Sequence, residues 1–153
     1  MATAVFQDHH LRPVGLYCGV SEGQGARGRG FLVGFACERY PVNRSHVLLT
    51  GMSDGGTYAL LAGLRDATPY THLAPACGVL HPLLLGGDLA GARDRPIYLV
   101  HGALDWMFPV ATARIGRDAL QEAGARLVYR EIGDLSHTYP REENSQILDW
   151  LLA

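Results

Sequence analysis

Apolar residues along this chain gather in two kinds of run. Short, nearly unbroken ones at 46–50, 74–80, 95–101 and 127–132 have the length and composition of strands. The run "RPIYLVH" at 95–101 is the clearest, of the kind buried on both faces of a parallel sheet. Between them the spacing is helical. Phe31, Leu32, Phe35 and Ala36 recur on one face up to Arg39, and Pro41 follows the stop. "TYALLAGL" at 57–64 is closed by Asp66 and Pro69, and an amphipathic stretch over 111–123 stops at Gly124. A last helix over 142–152 turns Ile147, Leu148, Leu151 and Leu152 inward. Strands and helices alternate throughout, which predicts an α/β domain with a mostly parallel sheet flanked by helices.

The first thirty residues fit this scheme least. A short strand is expected at 14–18, and the following "GVSEGQGARGRG" has five glycines in twelve positions, the composition of a flexible loop. Residues 1–30 therefore read as an irregular amino-terminal segment and 31–153 as the core. A chain of 153 residues suits one domain, which at this size buries roughly two-thirds of its unfolded surface.

Composition narrows the partners. The chain is 48% hydrophobic and 18% charged with a formal net charge of −2, so no excess of positive charge is present to hold phosphates, and nucleic acid is not an expected partner. All 13 basic residues are arginine, a bias from which no function follows. Cys18, Cys37 and Cys77 are odd in number and form no CxxC, which fits a reducing cytoplasm better than a disulfide framework or a zinc site. His9-His10 have no third ligand nearby in sequence, and no metal is expected there. The chain opens on no leader-like pattern and has no run of eighteen apolar residues, so a cytoplasmic location without membrane contact is expected.

Candidate chemistry begins at "LLTGMSDGGT", residues 48–57, where three glycines crowd one serine. Gly51-Met52-Ser53-Asp54-Gly55 is G-x-S-x-G, with a strand expected before it and a helix after. That turn must be sharp enough to lift the serine hydroxyl clear of the sheet, and Gly51, Gly55 and Gly56 supply the room. A serine hydroxyl is a weak nucleophile. It needs a histidine to take its proton and a carboxylate to orient that histidine.

Both partners are expected on loops after later strands, at the carboxyl edge where open α/β sheets bind ligands. Asp105 follows the 95–101 strand and is the preferred acid, with Asp134 as the alternative; His137 is the sole histidine after Asp105 and the candidate base. His101-Gly102 ends the strand that carries Asp105 and is no substitute for an oxyanion loop. Trp106 and Phe108 follow the acid and Met52 precedes the serine; they are candidates for contact with substrate, with core packing of the aromatic residues as the other reading. His81, in "GVLHP" after a strand, is a candidate for the same cleft or a turn residue.

GMSDGG, "YLVHGALDWMFPV" and "YREIGDLSHTYPREENSQILDWL", taken in this order, resemble the α/β-hydrolase superfamily from about Phe31 to Ala153. The resemblance is to serine esterases of the phospholipase/carboxylesterase and polyhydroxybutyrate-depolymerase-like branches. It implies Ser53 as nucleophile, Asp105 as acid, His137 as general base and the Asp54 backbone N–H as an oxyanion donor. The implied reaction is hydrolysis of a small-molecule carboxylic ester through an acyl-enzyme, without metal or organic cofactor. Thioesterase, feruloyl-type esterase and peptidase chemistry use the same three groups.

In that family two strands and two helices precede the elbow, and the first of those strands ends in the segment giving the second oxyanion N–H. Only fifty-two residues precede Ser53 here. The expectation is a minimal α/β-hydrolase fold, shortened at the amino terminus and lacking early strands and any cap domain. An open edge beside the serine's strand would invite a homodimer. A catalytically weak or inactive binding module is the rival function.

Overall fold

The computed structural model describes residues 2–7, 13–18 and 27–153, with side chains from residue 33 onward. Among these, six strands form one sheet: β1 (Ala2–Gln7), β2 (Pro13–Cys18), β3 (Leu48–Met52), β4 (His72–Ala76), β5 (Pro96–Gly102) and β6 (Arg126–Ile132). Their order is β2-β1-β3-β4-β5-β6. β3 to β6 run parallel, while β1 pairs antiparallel with both β2 and β3. The helices are α1 (Arg27–Arg39), α2 (Asp54–Gly63), α3 (Pro82–Leu85), α4 (Val110–Glu122) and α5 (Asn144–Leu152). This is the alternating α/β architecture with a mostly parallel sheet that the apolar runs predict.

Alternation within the strands explains why both faces are covered. Leu49, Leu73, Ile97 and Leu99 point to one side, where they pack with Val33 and Ala36 of α1, Ala59 and Leu60 of α2 and Leu120 of α4. Leu48, Ala74, Tyr98 and Val100 point to the other, against Ile147 and Leu151 of α5. Burial on both faces is why these strands read as continuous apolar runs rather than as polar–apolar alternation.

The structure departs from expectation mainly at the amino end. The segment read as irregular supplies two strands: β2 covers the expected 14–18 run, and β1 pairs along β3 with Ala2 opposite Gly51 and Val5 opposite Leu48. The strand bearing the serine therefore has a neighbour on each side, and among the described residues β2 rather than β3 is the outermost strand at this end. That removes the reason given for a homodimer through the serine's strand. "ATAVFQ" carries no clear periodicity, and its place follows from backbone groups along β3 that need partners. The opposite edge, β6, carries Arg126, Arg130 and Glu131, all exposed, which discourages pairing with another chain. The 19–26 stretch and His9-His10 lie outside the described residues. Further along, β4 stops at Ala76 because Cys77 takes a left-handed φ of 47°.

At the amino-terminal end of the parallel strands, His72 stacks on His46 with ring centroids 5.9 Å apart and meets Trp150 edge-on at 5.2 Å. Burial, then the charges of His46, Arg126 and Arg95, lower the His72 pKa from 6.5 to about 4. Between those values the unfolded chain binds a proton at this site that the folded chain refuses. Stability is full above about pH 6.5 and falls as the pH drops towards 4. Thermal unfolding followed by circular dichroism will show that decline in wild type and a shallower one in His72→Gln; equal slopes would remove His72 as the cause.

Candidate active site

β3 delivers Ser53 into a turn with φ 58° and ψ −125°. A non-glycine residue held there costs about 1–3 kcal/mol and persists only where the surroundings enforce it. The enforcement is visible. The Ser53 N–H donates to the Ala76 carbonyl at 2.9 Å, and the Ser53 carbonyl accepts from the N–H groups of Gly56 and Thr57 at 2.9 and 3.0 Å. Gly51 is required because a Cβ there would lie 2.5 Å from the Gly55 carbonyl. Strand and helix thus meet closer than any side chain permits.

A serine at the start of a helix ordinarily turns its hydroxyl back to cap the first turn. Ser53 makes no such side-chain bond. Its Oγ lies 2.9 Å from Nε2 of His137, and Nδ1 of that ring lies 2.8 and 3.0 Å from the two carboxylate oxygens of Asp105. A carboxylate only accepts, so Nδ1 carries the hydrogen and Nε2 offers its lone pair to the Ser53 hydroxyl. Such a chain can draw a proton from the serine.

Three loops at the carboxyl ends of β3, β5 and β6 converge to build it. Beyond the paired strands, the Ala103 N–H donates to Ile132 O at 2.9 Å and the Leu104 N–H to Leu135 O at 3.0 Å, lashing the Asp105 loop to the His137 loop. Gly102 allows that approach, since a Cβ there would collide with the Leu135 carbonyl oxygen. Asp105, 5% exposed, also accepts on Oδ1 from the N–H groups of Met107 at 3.0 Å and Phe108 at 2.8 Å. Burial pushes its carboxyl up. The His137 hydrogen bond and the two N–H groups outweigh that and hold it below the usual carboxylate range. Asp134, the alternative acid, is exposed, and it is Asp105 that meets His137.

The remaining sequence candidates divide. Asp54 is the first residue of α2, so its N–H belongs to the helix's unmatched amino-terminal donors, directly after Ser53. Met52, half-buried, ends β3. Trp106 is 72% exposed, and its ring lies 6.4 Å from that of His137. His81 behaves as the turn residue of the two readings: its Nδ1 accepts the Leu83 N–H at 3.2 Å and caps α3.

Two further neighbours stand at the site, Phe108, a pocket candidate from its place after Asp105, and His101, for which the sequence suggested no role beyond ending its strand. Phe108 stands edge-on to the His137 ring at 5.5 Å, and His101 is completely buried behind Asp105. The available signal for His101 is a histidine at the end of the apolar run "PIYLV". Among the described residues no group of three or more metal-ligating side chains gathers, and no helix is long and apolar enough to cross a membrane.

No family model matches this sequence, and no curated protein is similar enough in sequence to match it. Solved structures do match. Arabidopsis thaliana SOBER1 superposes with a TM-score of 0.66 at 22% identity, covering 82% of this chain and 60% of its own. A thermostable esterase matches with a TM-score of 0.64 at 21% identity, over 82% of this chain and 35% of that one. Zea mays acyl-protein thioesterase 2 gives 0.56 at 21% identity, over 67% and 53%. This chain thus spans between 35% and 60% of the length of those three proteins.

Proposed function

We propose that this chain, which has the α/β-hydrolase fold, is a serine hydrolase that cleaves carboxylic esters through an acyl-enzyme. The observation that carries the reading is the unbroken contact from Ser53 Oγ to His137 Nε2, and from His137 Nδ1 to Asp105, at 2.9 and 2.8 Å. Ser53 attacks the ester carbonyl while Nε2 takes its proton. Asp105 holds the ring in the tautomer that can do so and stabilises the imidazolium that forms. The leaving alcohol departs with that proton. Water then repeats the sequence on the acyl-enzyme, releasing the acid and restoring Ser53.

Negative charge developing on the carbonyl oxygen falls at the amino end of α2, where the Asp54 N–H and the helix dipole favour an anion. One such donor is typically worth about 10²–10³ in rate. Leu104, Trp106 and Met107 are 61%, 72% and 47% exposed on the loop around Asp105, an apolar rim that suits short-chain or aryl esters. Trp106→Ala is expected to raise KM for aryl esters up to about tenfold, the scale of one lost aromatic contact, with kcat little changed.

Incubation with short-chain p-nitrophenyl esters, alongside labelling by a fluorophosphonate and mapping of the label by mass spectrometry, tests the proposal. Turnover together with a label on the Ser53 peptide is expected. Absence of both would overturn it.

A further inference from the structure

His101 is a buried polar group that the proposed reaction does not use. It is the penultimate residue of β5 with 0% exposure, its Nε2 lies 2.8 Å from the Phe108 carbonyl oxygen and 3.5 Å from Asp105 Oδ2, and its Nδ1 is buried without a partner among the described residues. A carbonyl oxygen only accepts, so Nε2 carries the hydrogen. An apolar residue would fill this place without stranding a nitrogen, and burial of an unpartnered nitrogen is unfavourable. What an apolar residue cannot do is donate.

We infer that His101 is a positioning residue for the proton-transfer chain: its Nε2–H fixes the Phe108 carbonyl, and through it the carboxylate of Asp105 and the orientation of His137. The inference rests on the ester-hydrolase reading. Phe108 is held from two sides, its N–H donating to Asp105 Oδ1 at 2.8 Å and its carbonyl accepting from His101. That double hold closes the loop into a ring of contacts around the acid. The Phe108 side chain then stands edge-on to His137, limiting how the imidazole swings. One donor thus acts on both the acid that orients His137 and the wall that confines it.

Two variants separate positioning from filling. His101→Leu keeps the bulk and loses the donor, while His101→Gln offers an amide N–H in its place. Small misplacement of reacting groups costs about 10²-fold, so His101→Leu is expected to lose about that factor in kcat with KM nearly unchanged, and His101→Gln to recover most of it. The His137 Nδ1–H proton resonance should persist in wild type and in His101→Gln, and broaden or vanish in His101→Leu. Wild-type kcat and an unchanged resonance in His101→Leu would overturn the inference. Should the leucine variant fail to fold, ring-nitrogen shifts of the wild-type protein decide: a hydrogen on Nε2 of His101 is expected, and a ring protonated on Nδ1 alone is incompatible with donation to Phe108. An inactive wild type would refute the hydrolase reading, yet these resonances would still report on positioning.

Discussion

Alanine in place of Ser53 is expected to lower kcat for ester hydrolysis by about five to six orders of magnitude while leaving the fold intact. Without Oγ no acyl-enzyme forms, and what remains is the weak stabilisation of a bound ester by the amino end of α2. The fold survives because Ser53 serves it only through its backbone, donating to Ala76 and accepting from Gly56 and Thr57. Its hydroxyl makes no helix-capping bond that alanine would forfeit. The unusual φ of 58° is retained at similar cost by either residue. Steady-state kinetics on p-nitrophenyl esters, paired with thermal unfolding, checks both halves. Turnover within tenfold of wild type would mean that another group attacks the ester.

Asp105→Asn should lower kcat by about 10⁴ at neutral pH, although it only exchanges one carboxylate oxygen for an NH2 of similar size and removes the charge. The reason lies in how the carboxylate is already engaged. Oδ1 takes the N–H groups of Met107 and Phe108, which only an oxygen can accept, so the carboxamide oxygen must occupy that side. Its NH2 then faces His137, where Oδ2 now lies 2.8 Å from Nδ1. Nδ1 has to accept, the ring hydrogen moves to Nε2, and the lone pair that faced Ser53 is lost. Kinetics will show the drop, and the ring-nitrogen shifts of His137 the exchanged tautomer. Full activity in Asp105→Asn would shift the acid's role elsewhere, with Asp134 next in line.

Much of this site was legible along the chain because its signals are local. GMSDGG pairs a small-residue turn with a strand on one side and a helix on the other, and each of those has its own periodicity. Asp105 and His137 stand just past apolar runs, so their placement at the carboxyl edge followed from the strands. The weak points were equally physical. Strand β1 has no amphipathic rhythm, and its membership in the sheet depends on backbone pairing with β3, which no side chain announces. His81 could be read as a cleft residue because capping by Nδ1 appears only once α3 exists.

By itself the sequence determined the alternating α/β order, the elbow around Ser53 and the order in which serine, acid and histidine follow one another, since propensity, spacing and glycine placement act over a few residues. The tertiary structure alone decided which carboxylate meets His137, that Ser53 faces that ring rather than capping its own helix, and that His101 sits behind the acid. Those outcomes depend on strand register and loop packing between residues as far as 84 positions apart, where contact energies, not local preferences, select the partner.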